Sequence, residues 1–124
     1  MILGIDDDPL ILGFLATVIR SQDMLFVGVE NAHDAIPVIK RDEPDLIFLD
    51  INMPGTDGLE LCRSIRKNLP DYNSPVVFLT ADHSEKILET ALAAGGNDYM
   101  VKPVSPDGII TRIKHWLPEK PGAE

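Results

Sequence analysis

Asp45-Leu46-Ile47-Phe48-Leu49-Asp50-Ile51-Asn52-Met53-Pro54-Gly55-Thr56-Asp57-Gly58 is the stretch that sets the fold class. Its apolar run, bounded by aspartates, is too short for an amphipathic helix and fits a strand buried on both faces of a parallel sheet. The run stops on a carboxylate and passes at once into a turn rich in proline, glycine and aspartate. A charge at the mouth of such a strand costs free energy unless something stabilises it, so Asp50 is a candidate for chemistry rather than for packing.

Three other runs of strand length end in the same way. Residues 1–5 lead into Asp6 and Asp7, residues 75–79 into Thr80, and residues 97–101 into Lys102. Between the strands at 2–5, 25–29, 46–49, 76–79 and 99–101 the apolar period becomes helical, which predicts βαβ units and a parallel sheet covered on both faces. The first helix opens with Asp8 as N-cap and Pro9 at its first position and runs to about Arg20. Asn31 caps the second, where an interior Pro37 costs about 3 kcal/mol and predicts a kink or a late start. Asp57 and Glu60 form a capping-box pair for the third. The fourth, 85–94, stops at Gly95-Gly96. The last opens with Ser105-Pro106-Asp107 and repeats Ile109, Ile110, Ile113, Trp116 and Leu117 on one face. Gly4 either weakens the first strand or admits a close backbone approach. The expected fold is therefore α/β: a doubly wound five-stranded parallel sheet flanked by five helices. Residues 1–117 form one domain, and 118–124 form a polar tail or linker stub.

A chain of 124 residues supports one core. Its 11 Lys plus Arg stand against 20 Asp plus Glu, a net charge of −9, which disfavours direct binding to nucleic acid or anionic lipid and favours cations and basic partners. Cys62 cannot form an internal disulfide and falls at an apolar helical position, as a buried thiol in a reducing cytosol would. The longest apolar stretch, 10–19, is about half of what a membrane span needs, so a cytoplasmic location is expected.

In an open parallel sheet, ligands bind outside the carboxyl ends of the strands where the connections reverse direction. Asp6, Asp7, Asp50, Thr80 and Lys102 then converge. Carboxylates 4 Å apart repel by about 4 kcal/mol per pair at an effective dielectric near 20. Lys102 balances one charge, and a divalent cation covers the rest. An all-oxygen shell suits Mg²⁺ or Mn²⁺, whereas zinc would want His or Cys. Carboxylate, cation, lysine and hydroxyl together are equipment for phosphoryl transfer, with Asp50 as nucleophile.

Ile5-Asp6-Asp7-Asp8-Pro9, Leu49-Asp50 through Asp57-Gly58, Leu79-Thr80-Ala81 and Asp98-Tyr99-Met100-Val101-Lys102-Pro103 closely resemble the CheY-like receiver domain of two-component response regulators, in family order and spacing. The resemblance implies a flavodoxin-like sandwich of strand order 2-1-3-4-5. It implies that Asp50 accepts a phosphoryl group from a phosphohistidine of a sensor histidine kinase or phosphotransfer protein. Asp7, Asp50 and the backbone carbonyl of Asn52 would ligate Mg²⁺, with Asp6 acting through metal-bound water. Thr80 would bond the phosphoryl oxygens and Lys102 would pair with them, ahead of a cis bond to Pro103. Thr80 and Tyr99 would form the switch, and Asn52 and Asp82 occupy positions that tune phosphoryl lifetime. The readout surface would be helix four, strand five and helix five, open to an effector domain, an output protein or a dimer partner. Such a chain reacts on itself and is not a turnover enzyme.

Rival readings are a Mg²⁺-dependent phosphohydrolase with an aspartyl nucleophile, a flavin-binding module, and an interaction scaffold that is never phosphorylated. The hydrolase of the haloacid-dehalogenase-like kind needs a second carboxylate two residues after the nucleophile, where Asn52 stands. The flavin module needs a phosphate cradle where Asp6-Asp7-Asp8 would repel phosphate. His83, His33 and His115 read as surface histidines without metal-ligand spacing.

Overall fold

The computed structural model describes residues 1–117. Its first half comprises β1 (Ile2–Ile5), α1 (Pro9–Ser21), β2 (Phe26–Val29), α2 (Ala32–Asp42), β3 (Leu46–Asp50), β4 (Asn52–Met53) and β5 (Thr56–Asp57). There follow α3 (Gly58–Asn68), β6 (Val76–Thr80), α4 (Ile87–Ala93), β7 (Asp98–Val101) and α5 (Pro106–Trp116). The main sheet is parallel and ordered β2-β1-β3-β6-β7, the expected doubly wound arrangement. An antiparallel hairpin of β4 and β5, absent from the sequence reading, lies inside the turn after Asp50. Such two-residue strands carry no periodic signal. The predicted tail, 118–124, lies outside the described residues.

Every residue of β1, β3 and β6 is buried, which is why these strands read as continuous apolar runs rather than alternating ones. Successive side chains enter different cores. Leu3, Ile47, Leu49, Val76 and Phe78 pack under α2, α3 and α4, while Ile2, Leu46, Phe48, Val77, Leu79 and Met100 pack under α1 and α5. Cys62 is fully buried in the first of these cores. At Gly4 a Cβ would come 2.7 Å from the Phe26 ring, so the glycine is the notch in which that ring lies, the close approach anticipated at this position.

The caps at Asp8, Asn31 and Ser105 accept hydrogen bonds from the backbone N–H groups of Leu10, Asp34 and Gly108. Three expectations need correction. Helix α2 begins directly after Asn31 and runs through Pro37 instead of starting late. Pro37 and His33, whose carbonyl loses its helical donor, are both exposed, so water can supply the missing bond. Asp57 caps α3 through the N–H of Leu59 and not that of Glu60, so its bond lacks capping-box geometry. Helix α4 starts two residues later than expected, after Lys86, which offers no side-chain cap.

Candidate functional site

The four strand ends meet at one end of the sheet because parallel strands all point the same way. The buried carboxylate of Asp6 follows β1, and that of Asp50 closes the adjacent β3. Lys102, one residue beyond β7, reaches across to both, with Nζ 3.1 Å from Asp6 Oδ2 and 3.3 Å from Asp50 Oδ1. Asp7 is exposed at the rim, and one oxygen each of Asp6, Asp7 and Asp50 lie within 4.8 Å of one another. A shallow cleft lined by Asp7, Ile51, Asn52, Met53, Pro54 and Asp57 opens the cluster to solvent.

The backbone fixes this arrangement. Asp6 Oδ1 accepts from the N–H of Asp8, and Asp50 Oδ1 accepts from the N–H of Asn52. The N–H of Lys102 donates to the carbonyl of Thr80, and that of Ile51 to the carbonyl of Leu79. Gly58 lets the start of α3 press against the end of β3, since a Cβ there would sit 2.1 Å from the Asp50 carbonyl oxygen.

Burial, and secondly the charge of Asp6, push the Asp50 carboxyl up to about 6, although Lys102 pulls the other way. Burial also works against the charge on Lys102, but Asp6 and Asp50 outweigh it and hold the ammonium above its ordinary range. Asp6 Oδ2 accepts no hydrogen bond and has only the ion pair with Lys102. Among the described residues Lys102 therefore faces two buried carboxylates and one exposed one, and this oxygen-rich, under-compensated cluster fits a divalent cation.

Thr80 is buried at the end of β6, and its Oγ1 accepts from the N–H of Asp82 at 2.9 Å. Tyr99 is half-buried on β7, paired with Phe78, so it lies on the same face of the sheet as Thr80 and two residues lower. Asn52 and Asp82 are exposed at the mouth of the site, and His83, His33 and His115 are all exposed. The Lys102-Pro103 bond is cis.

A family model for the response regulator receiver domain matches residues 2–114. The chain belongs to that family. Among solved structures, a two-component response regulator from Clostridium difficile is 30% identical with a TM-score of 0.87, the match covering 95% of each chain. The BeF₃-activated N-terminal receiver domain of RstA from Klebsiella pneumoniae is 33% identical with a TM-score of 0.84, covering 95% of this chain and 98% of that one. The Vibrio cholerae chemotaxis protein CheY4, 21% identical over 93% of this chain and 96% of its own, shares the fold with a TM-score of 0.86. As a receiver domain the chain serves phosphorylation-activated two-component signalling, in which such domains meet histidine kinases, phosphotransfer proteins and output domains. Among the described residues no helix is long and apolar enough to cross a membrane.

Sequence reasoning missed two groups of this receiver domain. Arg66 on α3 donates from its guanidinium to the carbonyls of Gly95, Tyr72 and Ser74 and to Asn97 Oδ1. Asp98 Oδ2 on β7 meets Arg112 Nε and accepts from the Trp116 indole N–H, tying α5 to the strand that bears Tyr99. Both arginines sit on helix faces where a charge reads as solvated, and their partners come from other segments.

Proposed function

We propose that Asp50 is the phosphoacceptor of this receiver domain. The observation that carries the reading is a buried carboxylate held by the Lys102 ammonium at 3.3 Å beside two further acidic groups. An Asp50 oxygen attacks the phosphorus of a phosphohistidine on a histidine kinase or phosphotransfer protein, the P–N bond breaks, and the imidazole leaves with its electron pair and takes up a proton. Lys102 balances charge on the transferred group. Thr80 turns its hydroxyl from the Asp82 N–H toward the new oxygens, and Tyr99 moves into the space vacated on the same face. Asn52 and Asp82, at the mouth, set how readily water reaches the acyl phosphate. The chain promotes only its own phosphorylation and dephosphorylation.

Asp7, Asp50 and the Asn52 carbonyl would hold Mg²⁺, or Mn²⁺, with Asp6 contributing through water. A cation bound there neutralises charge on the phosphoryl oxygens. The signal leaves through α4, β7 and α5 to an effector domain, a separate output protein or a second copy. Residues 1–117 form the receiver unit, 118–124 its tail, and the cytoplasm is its compartment. The net charge of −9 argues against direct contact with nucleic acid or membrane.

The test is intact-mass spectrometry after incubation with acetyl phosphate and Mg²⁺. One phosphoryl group should be added, chelator should prevent it, and Asp50→Asn should abolish it. Labelling that persists unchanged in Asp50→Asn would mean that another residue is the acceptor.

A further inference from the structure

The edge strands of the main sheet, β2 and β7, each turn a row of backbone groups outward, where a further strand could pair. On β7 the inward row is set by the bond from the Lys102 N–H to the Thr80 carbonyl. By alternation Met100 faces β6, while Tyr99 and Val101 face out. Both backbone groups of Tyr99 are already taken, and by side chains. Its N–H donates to Asp98 Oδ1 at 2.8 Å, and its carbonyl accepts from Arg112 Nη2 at 3.0 Å.

The two guards also hold each other. Arg112 Nε lies 3.2 Å from Asp98 Oδ2, which accepts from the Trp116 indole N–H at 3.1 Å. The Asp98 and Arg112 side chains are only 23% and 30% exposed, so they differ from a solvated surface pair, which would be worth little. Strand β2 repeats the device in part. The N–H groups of Ile2 and Asp6 donate to the carbonyls of Leu25 and Val29, which turns Phe26 and Gly28 outward, and Arg20 on α1 places Nη2 3.3 Å from the Phe26 carbonyl. Each edge is thus met by an arginine from a helix of the α1–α5 layer.

We propose that Asp98 and Arg112 close the β7 edge against strand addition by a second copy of this chain. Two unguarded β7 strands related by a two-fold axis at Met100 would set Tyr99 of one copy opposite Val101 of the other. Each such pair exchanges two backbone hydrogen bonds, and both pairs use Tyr99. Occupying that one residue therefore forbids all four bonds, although Val101 carries no guard of its own. The surface of α4, β7 and α5 stays open to a partner's side chains, while extension of the sheet is barred. The proposal does not depend on which residue accepts a phosphoryl group.

The test is the double variant Asp98→Ala, Arg112→Ala, which opens both Tyr99 groups and keeps the net charge at −9. Sedimentation velocity and residue-resolved hydrogen exchange are measured in chelator between about 20 μM and about 1 mM. At the low concentration the Tyr99 amide should exchange about fivefold faster than in the wild type, the equivalent of one net hydrogen bond. At the high concentration the variant should sediment as a dimer, with exchange at Tyr99 and Val101 slowed again about tenfold. The wild type should show no concentration dependence at either amide. A variant that stays monomeric throughout, a dimer that leaves both amides unslowed, or a wild type whose Val101 is protected by concentration overturns the proposal. Arg112→Met keeps the apolar stem and opens only the carbonyl, so it serves if the double variant does not fold; Val101 should be slowed at high concentration to a smaller extent, and no slowing there would count equally against the guard. Trp116→Phe loosens α5 but keeps both Tyr99 bonds and should stay monomeric; protection of Val101 equal to that in the double variant would show that a loosened helix, not an opened edge, drives association.

Discussion

The electrostatics of the site predict that Asp50→Asn, the substitution that removes the proposed acceptor, makes the metal-free protein more stable at neutral pH. The Asp50 carboxyl lies 3% exposed and is pushed from 3.8 up to about 6. A folded value above the unfolded one means that the native state favours the protonated acid. The associated stability is fully present below about 3.8 and is lost as pH rises through about 6. Two units at about 1.36 kcal/mol each give a cost on the order of 3 kcal/mol at pH 7.5. That value already contains the favourable pull of Lys102, which the asparagine forgoes, so a net gain of about 2 kcal/mol is expected. For a domain of this size the gain corresponds to a rise in Tm on the order of 8 °C.

The assay is thermal or urea unfolding of both proteins in chelator from pH 4 to pH 8. The gap should be small at pH 4, open between about pH 4 and 6, and level off above. Saturating Mg²⁺ should narrow it from the other side, because only the wild type keeps the full ligand set. An asparagine variant that is less stable at pH 7.5, or a gap of constant size across the range, would refute the assignment of Asp50 as a buried carboxylate under strain from Asp6.

Lys102→Met should lower stability by about 2 kcal/mol at pH 7.5 in chelator, because it leaves the Asp6 and Asp50 carboxylates without their cation; urea unfolding should show the loss shrinking toward pH 5 and reduced, but not abolished, when Asp50→Asn is added, since the buried Asp6 still loses its partner. Gly58→Ala should cost about 3 kcal/mol, since its Cβ meets the Asp50 carbonyl at 2.1 Å, and should slow labelling by acetyl phosphate beyond what lost stability explains; unchanged labelling kinetics would mean that α3 adjusts without moving Asp50. Mg²⁺ at ten times its Kd should raise stability by about 1.4 kcal/mol, and titration calorimetry should show Asp7→Asn removing most of that binding; heats indistinguishable from wild type would place the cation elsewhere.

The site was legible because a parallel sheet turns sequence order into spatial convergence. Once 2–5, 46–49, 76–79 and 99–101 are read as parallel strands, the residues after them must share one end, and Asp6, Asp50, Thr80 and Lys102 do. What stayed hidden was set by geometry that leaves no period or composition. The β4–β5 hairpin has two residues per strand, and Pro37 is tolerated in α2 because it faces solvent. Arg66 takes its partners from the α3–β6 and α4–β7 loops, whose positions no local pattern encodes.

The two kinds of residue do opposite work. Asp6 and Asp50 hold more negative charge at one end of the sheet than Lys102 balances, which a bound cation would relieve, so ligand binding has free energy to redistribute. That energy moves an element only where the element is weakly held. Helix α4 meets this condition at Ala81–Lys86, where no side chain caps it, and fails it at Gly95–Asn97, where Arg66 and Asn97 close a ring of hydrogen bonds. A domain with the same acidic cluster but with α4 firmly capped should bind the cation equally well and transmit less. Replacing Ser84 and Glu85 with residues that cap and extend α4 should therefore leave Mg²⁺ affinity unchanged while flattening the exchange response of α4 to beryllium fluoride; an undiminished response would show that the uncapped end is not what makes the helix movable.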